Sequence, residues 1–296
     1  MGTLWSIERE VGMNKYRTFQ KLAIKYGKTL IAYMLVSFFA IFFVIPFYWM
    51  VTTALKQSDQ VFTIPIVWWP KPVEFNNFIK AWNSAPFGTF FKNTLIVTCT
   101  AVIGTVLSSA FAAYGFARIQ FPGRELLFIF MLATMMIPAD VTRIPLYIIF
   151  RRLGWINTLK PLIVPSLFGG AFYIFLLRQF FLTIPSSLEE AAYIDGCSSF
   201  LIFWKIFLPL SKPGLLTVAI YSFLVHWNEF MAPLIYLNSE SKYTLSIGLR
   251  YFLYEQGGYY NLLMAAATMA LLPCLILFIF TQKYFIKGIV LTGLKE

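Results

Sequence analysis

The sequence predicts an all-α integral membrane protein with six membrane-crossing helices, and three observations lead there. Hydrophobic residues make up 59% of the 296-residue chain and charged residues only 12%, about half the ~25% of an average soluble protein. Charge-free apolar stretches recur that approach or exceed the ~20 residues needed to cross the hydrocarbon core. The polar insertions between them are short. A soluble surface with so few charges would expose large apolar patches, which excludes the soluble, disordered, collagen-like and coiled-coil classes.

Taken in order, residues 1–28 carry Arg9, Lys15, Arg17, Lys21, Lys25 and Lys28. Lys21, Lys25 and Lys28 share a helical face opposite Leu22, Ile24 and Tyr26, which predicts an amphipathic segment on the inner leaflet. Residues 29–55 contain no charge and form the first span. That run exceeds the 7–15 apolar residues of a cleaved signal and no small-residue cleavage pattern follows, so it is read as retained. Residues 56–88 are the longest insertion, punctuated by Pro65, Pro70, Pro72 and Pro86, and hold no separate domain. Tyr48, Trp49, Trp68 and Trp69 resemble interfacial anchors at the outer surface.

The second span is expected over 93–117. The third covers 126–150, apolar except for Asp140 and Arg143. The fourth covers 161–177. The fifth covers 213–228 and runs on past Glu229 into 230–237. The sixth lies within 256–282 and is helical from about Leu262. Residues 29–285 are thus the transmembrane domain and 286–296 a tail. An even number of spans puts both termini on one side, and most of the 24 basic residues fall there, so both termini are expected in the cytoplasm.

The net charge of +11 reflects that flanking rather than a nucleic-acid partner, since no dense basic stripe exists beyond residue 28. Cys99, Cys197 and Cys274 lie far apart and His226 is the one histidine, so neither a CxxC redox pair nor a His-rich metal site is available. GxSxG and HExxH are absent. Gly27-Lys28-Thr29 mimics the end of a phosphate-binding loop, but Leu22 stands where the first glycine is required. The chain holds no nucleotide by that route and no cofactor is expected in it. Its energy must come from elsewhere.

One segment is unusually structured for a loop. Pro185 stops the fourth span. Ser187 with Glu190 reads as a capping box, and Gly196 suits the left-handed end of a short helix. Ser198 or Ser199 then caps a second helix over 200–208, terminated by Pro209. A helix, a turn and a helix are held at the inner surface.

Glu190-Ala191-Ala192, then Gly196, Ile206 and Leu208-Pro209, match without a gap the EAA signature of permease subunits of binding-protein-dependent ATP-binding-cassette (ABC) importers. Tyr114-Gly115-Phe116-Ala117-Arg118 with Phe121-Pro122-Gly123 is similar to carbohydrate-type permeases. So are Ile144-Pro145-Leu146-Tyr147 with Leu153-Gly154 and Asn157-Thr158, and Trp227-Asn228-Glu229-Phe230 with Pro233-Leu234. The tail from Gly288 to Gly293, with Lys295, resembles the MalG-like group of maltose-type importers. The likeness runs from about residue 29 to the end.

This resemblance implies the type I ABC importer permease fold in the inner membrane of a bacterium, with no catalysis in the chain. It implies a second, MalF-like permease subunit, two cytosolic ATP-binding-cassette subunits that bind ATP and Mg, an extracytoplasmic sugar-binding protein and an oligosaccharide substrate. Ser187, Glu190, Ala191, Ala192, Asp195, Gly196, Ile206, Leu208 and Pro209 would form the coupling loop. The two alanines permit close approach to the ATPase, and Glu190 and Asp195 offer charge-assisted hydrogen bonds. Residues 238–260 would reach the binding protein, and Gly293, Leu294 and Lys295 the ATPase pair.

Ionisable residues within spans usually face a protein interior or a watery cavity, which marks Asp140, Arg143, His226 and Glu229 as the candidate substrate path. Asp140 and Arg143, three residues apart, equally suit mutual neutralisation, and His226 suits a hydrogen-bonded bundle position. Trp227, Asn228 and Glu229 combine an aromatic face with polar groups, as sugars require, or hold the outer gate. Arg143 replaces an apolar residue expected from the family and favours an acidic, uronate (alginate-type) sugar. Two rival classes remain. An ion-coupled sugar carrier would show repeated halves, and a membrane glycosyltransferase an acid-rich soluble face.

Overall fold

The computed structural model describes the backbone of residues 2–254 and 259–293 and the side chains of residues 26–253 and 259–282. All regular structure among the described residues is helical. Helix α1 (Gly2–Ala54) is continuous, so no break separates the expected amphipathic segment from the first span. The basic face of that segment lies outside the described side chains. Short α2 (Asn76–Ser84) leads into α3 (Phe87–Arg118), a 32-residue rod. Then come α4 (Arg124–Ala133), α5 (Ala139–Arg152), α6 (Lys160–Ile163), the 3-10 turn Val164–Phe168 and α7 (Ala171–Leu182). The remainder is α8 (Ser186–Ile194), α9 (Ser199–Ile202), the π-helical turn Phe203–Phe207, α10 (Leu208–Leu210), α11 (Lys212–Asn228), α12 (Met231–Tyr236), α13 (Leu245–Tyr254) and α14 (Tyr260–Gly293).

Four stretches are long and apolar enough to cross a membrane: Tyr26–Ala54, Phe87–Arg118, Lys160–Leu182 and Tyr260–Gln282. Two bent pairs, each taken as one span, bring the number up to six. The third span differs from the continuous helix expected over 126–150. Its halves meet at 98°. Pro138 lacks an N–H and pushes the residue before it out of the helical region, and Ile137 is extended, with ψ 115°. The fifth span ends at Asn228 because Glu229 is extended (ψ 123°), and its expected continuation is the separate helix α12.

Helix α3 occupies the centre, packed against α7 and α11. Gly104, Ser108, Ser109, Ala110 and Ala113 make its face thin, so neighbouring backbones approach closely. A Cβ on Gly104 would lie 2.3 Å from Leu167 Cδ2, which explains why glycine stands where the 3-10 turn crosses α3. Around the Arg118 end, Tyr114, Leu177, Phe181, Phe203, Phe207 and Val218 form one core. Around the Phe87 end, Phe90, Trp227, Leu245, Phe252 and Ala265 form another.

Asn261 Nδ2 donates to the Lys56 carbonyl at 3.2 Å, and Asn93 Nδ2 donates to the carbonyls of Ser241 and Tyr243. The insertion after α1, the loop before α13 and the start of α14 therefore gather at the Phe87 end. Over Tyr26–Phe47 nearly every side chain of α1 is exposed, and most are apolar, as suits a lipid-facing surface in which the helix satisfies its own backbone.

Candidate coupling helix and substrate cleft

The expected helix–turn–helix is present, with two corrections. Helix α8 begins at Ser186, its N-cap is Pro185, and no side chain caps it. The capping box between Ser187 and Glu190 does not form. Pro185 has the fixed φ (−58°) and extended ψ (136°) of a cap position, so helical geometry starts at once and Ser187 falls inside the first turn. Nor does Pro209 end the second helix. The chain widens into the π turn Phe203–Phe207, with Leu208 N–H bonding the Phe203 carbonyl, and helical geometry continues to Leu210. The wider turn accommodates the donor that Pro209 lacks.

The turn between the helices is as expected. Gly196 has φ +79°, its N–H bonds the Tyr193 carbonyl at 3.0 Å, and Cys197 N–H bonds the Ala192 carbonyl at 2.9 Å. That pair of bonds is a Schellman motif, which satisfies carbonyls left over at the helix end. Ser198 Oγ accepts from Leu201 N–H, capping α9. Tyr193 and Ser199 hydroxyls bond at 2.9 Å across the turn. Ala192 is buried, whereas Ser187, Glu190, Ala191, Asp195, Gly196 and Pro209 are exposed and Ile206 and Leu208 half-buried. Phe203 and Phe207 anchor the knuckle in the core while Phe200 and Trp204 stay exposed. The result is a projection whose exposed surface carries acidic and small residues.

The six candidate path residues do not form one site. A cleft of ≈ 180 Å³ lies between α3, the 3-10 turn and α11, and its polar lining is Thr94, Ser166, His226, Glu229 and Thr244. His226 Nδ1 lies 2.8 Å from the Ser222 carbonyl and Nε2 2.8 Å from Ser166 Oγ. A carbonyl only accepts, so Nδ1 carries a proton toward Ser222, and Nε2 shares a hydrogen bond with the Ser166 hydroxyl. Glu229 Oε1 accepts from Ala232 N–H at 2.8 Å, capping α12. It also lies 3.7 Å from Arg143, whose Nε bonds Asp140 at 2.7 Å.

Trp227 and Asn228 border a different cleft with Phe47, Met50 and Cys274. Trp227 is nearly buried. Its indole N–H donates to the Ala270 carbonyl at 3.0 Å, and its ring stacks on Phe223 with centroids 5.2 Å apart. Asn228 is exposed and donates to the Leu224 carbonyl.

Sequence reasoning missed Ser166, Thr94 and Thr244 in the first cleft. Ser166 could have been suspected, because Pro161 and Pro165 mark irregular backbone inside a span, which is tolerated where it lines a cavity. The threonines carry no such signal. In the 238–260 loop, Asn157 Oδ1 accepts from the N–H groups of Asn238 and Ser239, tying that loop to the α5–α6 turn. Glu255, Gly257 and Gly258, together with Leu294 and Lys295, lie outside the described residues, while Gly293 lies within α14.

Residues 104–290 match the family model described as "Binding-protein-dependent transport system inner membrane component". The chain is 40% identical to the probable ABC transporter permease protein YurM of Bacillus subtilis, over 82% of this chain and 81% of that protein. It is 34% identical to the arabinooligosaccharides transport system permease protein AraQ of Halalkalibacterium halodurans, over 90% of this chain and 95% of that one. In fold it is similar to a chain from the crystal structure of a bacterial ABC transporter involved in the import of the acidic polysaccharide alginate, with TM-score 0.78, 24% identity and 86% and 95% of the two chains covered. These matches set aside the ion-coupled carrier and the glycosyltransferase. The chain belongs to the binding-protein-dependent transport system inner membrane component family and is a carbohydrate-type ABC importer permease, a transport subunit rather than an enzyme.

Proposed function

We propose that this chain is the MalG-like half of an ATP-driven importer that takes up an oligosaccharide delivered by an extracytoplasmic sugar-binding protein. A MalF-like permease supplies the other half of the path, and two cytosolic cassette subunits bind ATP and Mg. The observation that carries the reading is the α8 projection. Its helix is stopped by the Gly196 turn and braced on Phe203 and Phe207. Exposed Glu190, Ala191 and Asp195 suit a cleft on a partner. The α8 end then faces the cytoplasm, both termini with it, in a bacterial inner membrane.

Transport follows as alternating access. Cassette closure pushes α8, and the push tilts the packed core of α3, α7 and α11. The two permease halves rock, and the cleft around Ser166, His226 and Glu229 opens first to the binding protein and then to the cytoplasm. Hydroxyls, an imidazole and a carboxylate suit the hydroxyl groups of a sugar. Support for an oligosaccharide also comes from the arabinooligosaccharide permease relative.

A uronate sugar is the second reading, and Arg143 favours it. Its guanidinium is held by Asp140, whose side chain is 83% exposed, so a sugar carboxylate would take that place by exchanging one carboxylate for another. The test is purification of the whole assembly and ATPase assays with loaded binding protein across neutral and acidic sugars. ATP hydrolysis unresponsive to every loaded binding protein would overturn the proposal.

A further inference from the structure

Helix α8 has nine residues and buries only Ala192, so apolar packing alone holds it weakly. Beside the Phe203 and Phe207 anchor that follows it, a polar tie to the spans comes from Arg118, the last residue of α3. The Arg118 guanidinium donates to the carbonyl of Phe181 in the last turn of α7 at 2.6 Å and to that of Ile184 just beyond it. Its Nη1 lies 3.8 Å from Glu189 of α8, with both side chains nearly buried. Its plane sits over the Phe207 ring of the π turn, 5.0 Å from the centroid. One cation thus joins four elements. A cation is favoured at a helix C-terminus, where the free carbonyls concentrate partial negative charge, and the planar fork reaches several acceptors at once.

A second arginine makes the ends of α3, α4 and α7 a single block. Arg178 Nε donates to the Phe116 carbonyl at 3.2 Å, and its Nη2 lies 3.9 Å from Glu125 of α4. Besides the chain on either side of it and the Ala192 contact with the Phe203–Phe207 core, Arg118 gives α8 a direct polar link to that block. At its other end α3 carries Thr94, which lines the polar cleft and accepts from Leu245 N–H at 2.8 Å. The rod therefore runs unbroken from the coupling helix to the cleft.

We propose that the Arg118–Glu189 tie is the joint through which movement of α8 is passed to α3, making both positioning residues for coupling. This rests on the importer reading. The Arg118 and Glu189 side chains are 11% and 12% exposed, at the floor of an open groove that Glu190 and Tyr193 also line, and neither lines the polar cleft. Substitution at the tie is expected to change how much transport each ATP drives.

The test reconstitutes the full complex in vesicles with loaded binding protein and measures sugar accumulated per ATP hydrolysed. That ratio does not depend on how much complex assembles, so a merely structural defect leaves it unmoved. Glu189→Gln removes the ion pair while keeping size and shape, and the ratio is expected to fall roughly threefold or more, within the range for residues that carry coupling between sites. Arg118→Lys, which keeps the charge but not the fork, should fall between wild type and Arg118→Gln. The Glu189→Gln ratio decides. An unchanged ratio, whether both rates drop together or neither does, overturns the proposal. A wild-type complex that shows no ATP-dependent uptake would instead refute the importer reading.

Discussion

Arg143 on α5 reaches Glu229, the residue at which α11 ends, with Nη1 3.7 Å from Oε1. Because Asp140 holds the same guanidinium at 2.7 Å, one cation is shared by two carboxylates. The contact ties α5, the second half of the bent third span, to the break between α11 and α12.

That sharing makes Arg143→Leu a test of substrate charge. If the sugar is acidic, the variant loses uptake of acidic oligosaccharides by about tenfold or more, the scale of a lost charge-assisted hydrogen bond of 1.5–3 kcal/mol, while uptake of neutral ones changes little. Equal changes in both discard the uronate reading and leave Arg143 as a hinge tie. Competitive uptake assays with matched neutral and acidic oligomers give the answer.

Gly196 is the residue on which the knuckle turns. Alanine there places a side chain at φ +79°, at a cost of roughly 1–2 kcal/mol. Proline is worse, since it demands φ near −65° and deletes the N–H that bonds Tyr193. Gly196→Pro, and Glu190→Ala on the exposed face, should abolish ATP hydrolysis stimulated by loaded binding protein while membrane insertion persists. Normal stimulated hydrolysis in Gly196→Pro counts against docking through α8.

Trp227 is expected to govern stability rather than selectivity. Trp227→Ala removes a 5%-exposed ring and should cost about 3–5 kcal/mol, read as a lower Tm in detergent. Trp227→Phe keeps the stacking on Phe223 and loses the indole N–H bond to the Ala270 carbonyl, for about 1 kcal/mol. A change in sugar preference without loss of Tm would move Trp227 back to the substrate path.

Lys56 offers a pH test at the other end of the bundle. The side chain is fully buried, its amine has no hydrogen-bond partner, and Nζ stands 3.8 Å over the Trp49 ring. Burial lowers its pKa from the ordinary value. Between the lowered folded pKa and the ordinary unfolded one the unfolded state binds more protons, so stability rises with pH across that window. Lys56→Met should remove that rise and stabilise the protein at neutral pH, on the order of 1 kcal/mol. Unfolding curves from pH 7 to 11 that keep the same slope in the variant would contradict it.

Composition by itself determined that the chain lives in lipid, and local chemistry determined where the coupling turn falls. Apolar length and a left-handed glycine are properties of contiguous residues. Pro138 was legible in the same way, yet the spans were read by hydropathy, which is blind to a missing N–H. The capping box failed for a related reason: one proline fixed the helix start a residue earlier than the side-chain pattern implied. Only the tertiary structure decided that His226 and Glu229 share a cleft with Ser166 while Trp227, between them in sequence, turns away into the core. Helical periodicity sends neighbouring residues to different faces. What each face meets depends on chain dozens of residues distant, as with Ser166 opposite His226 and Ala270 opposite Trp227.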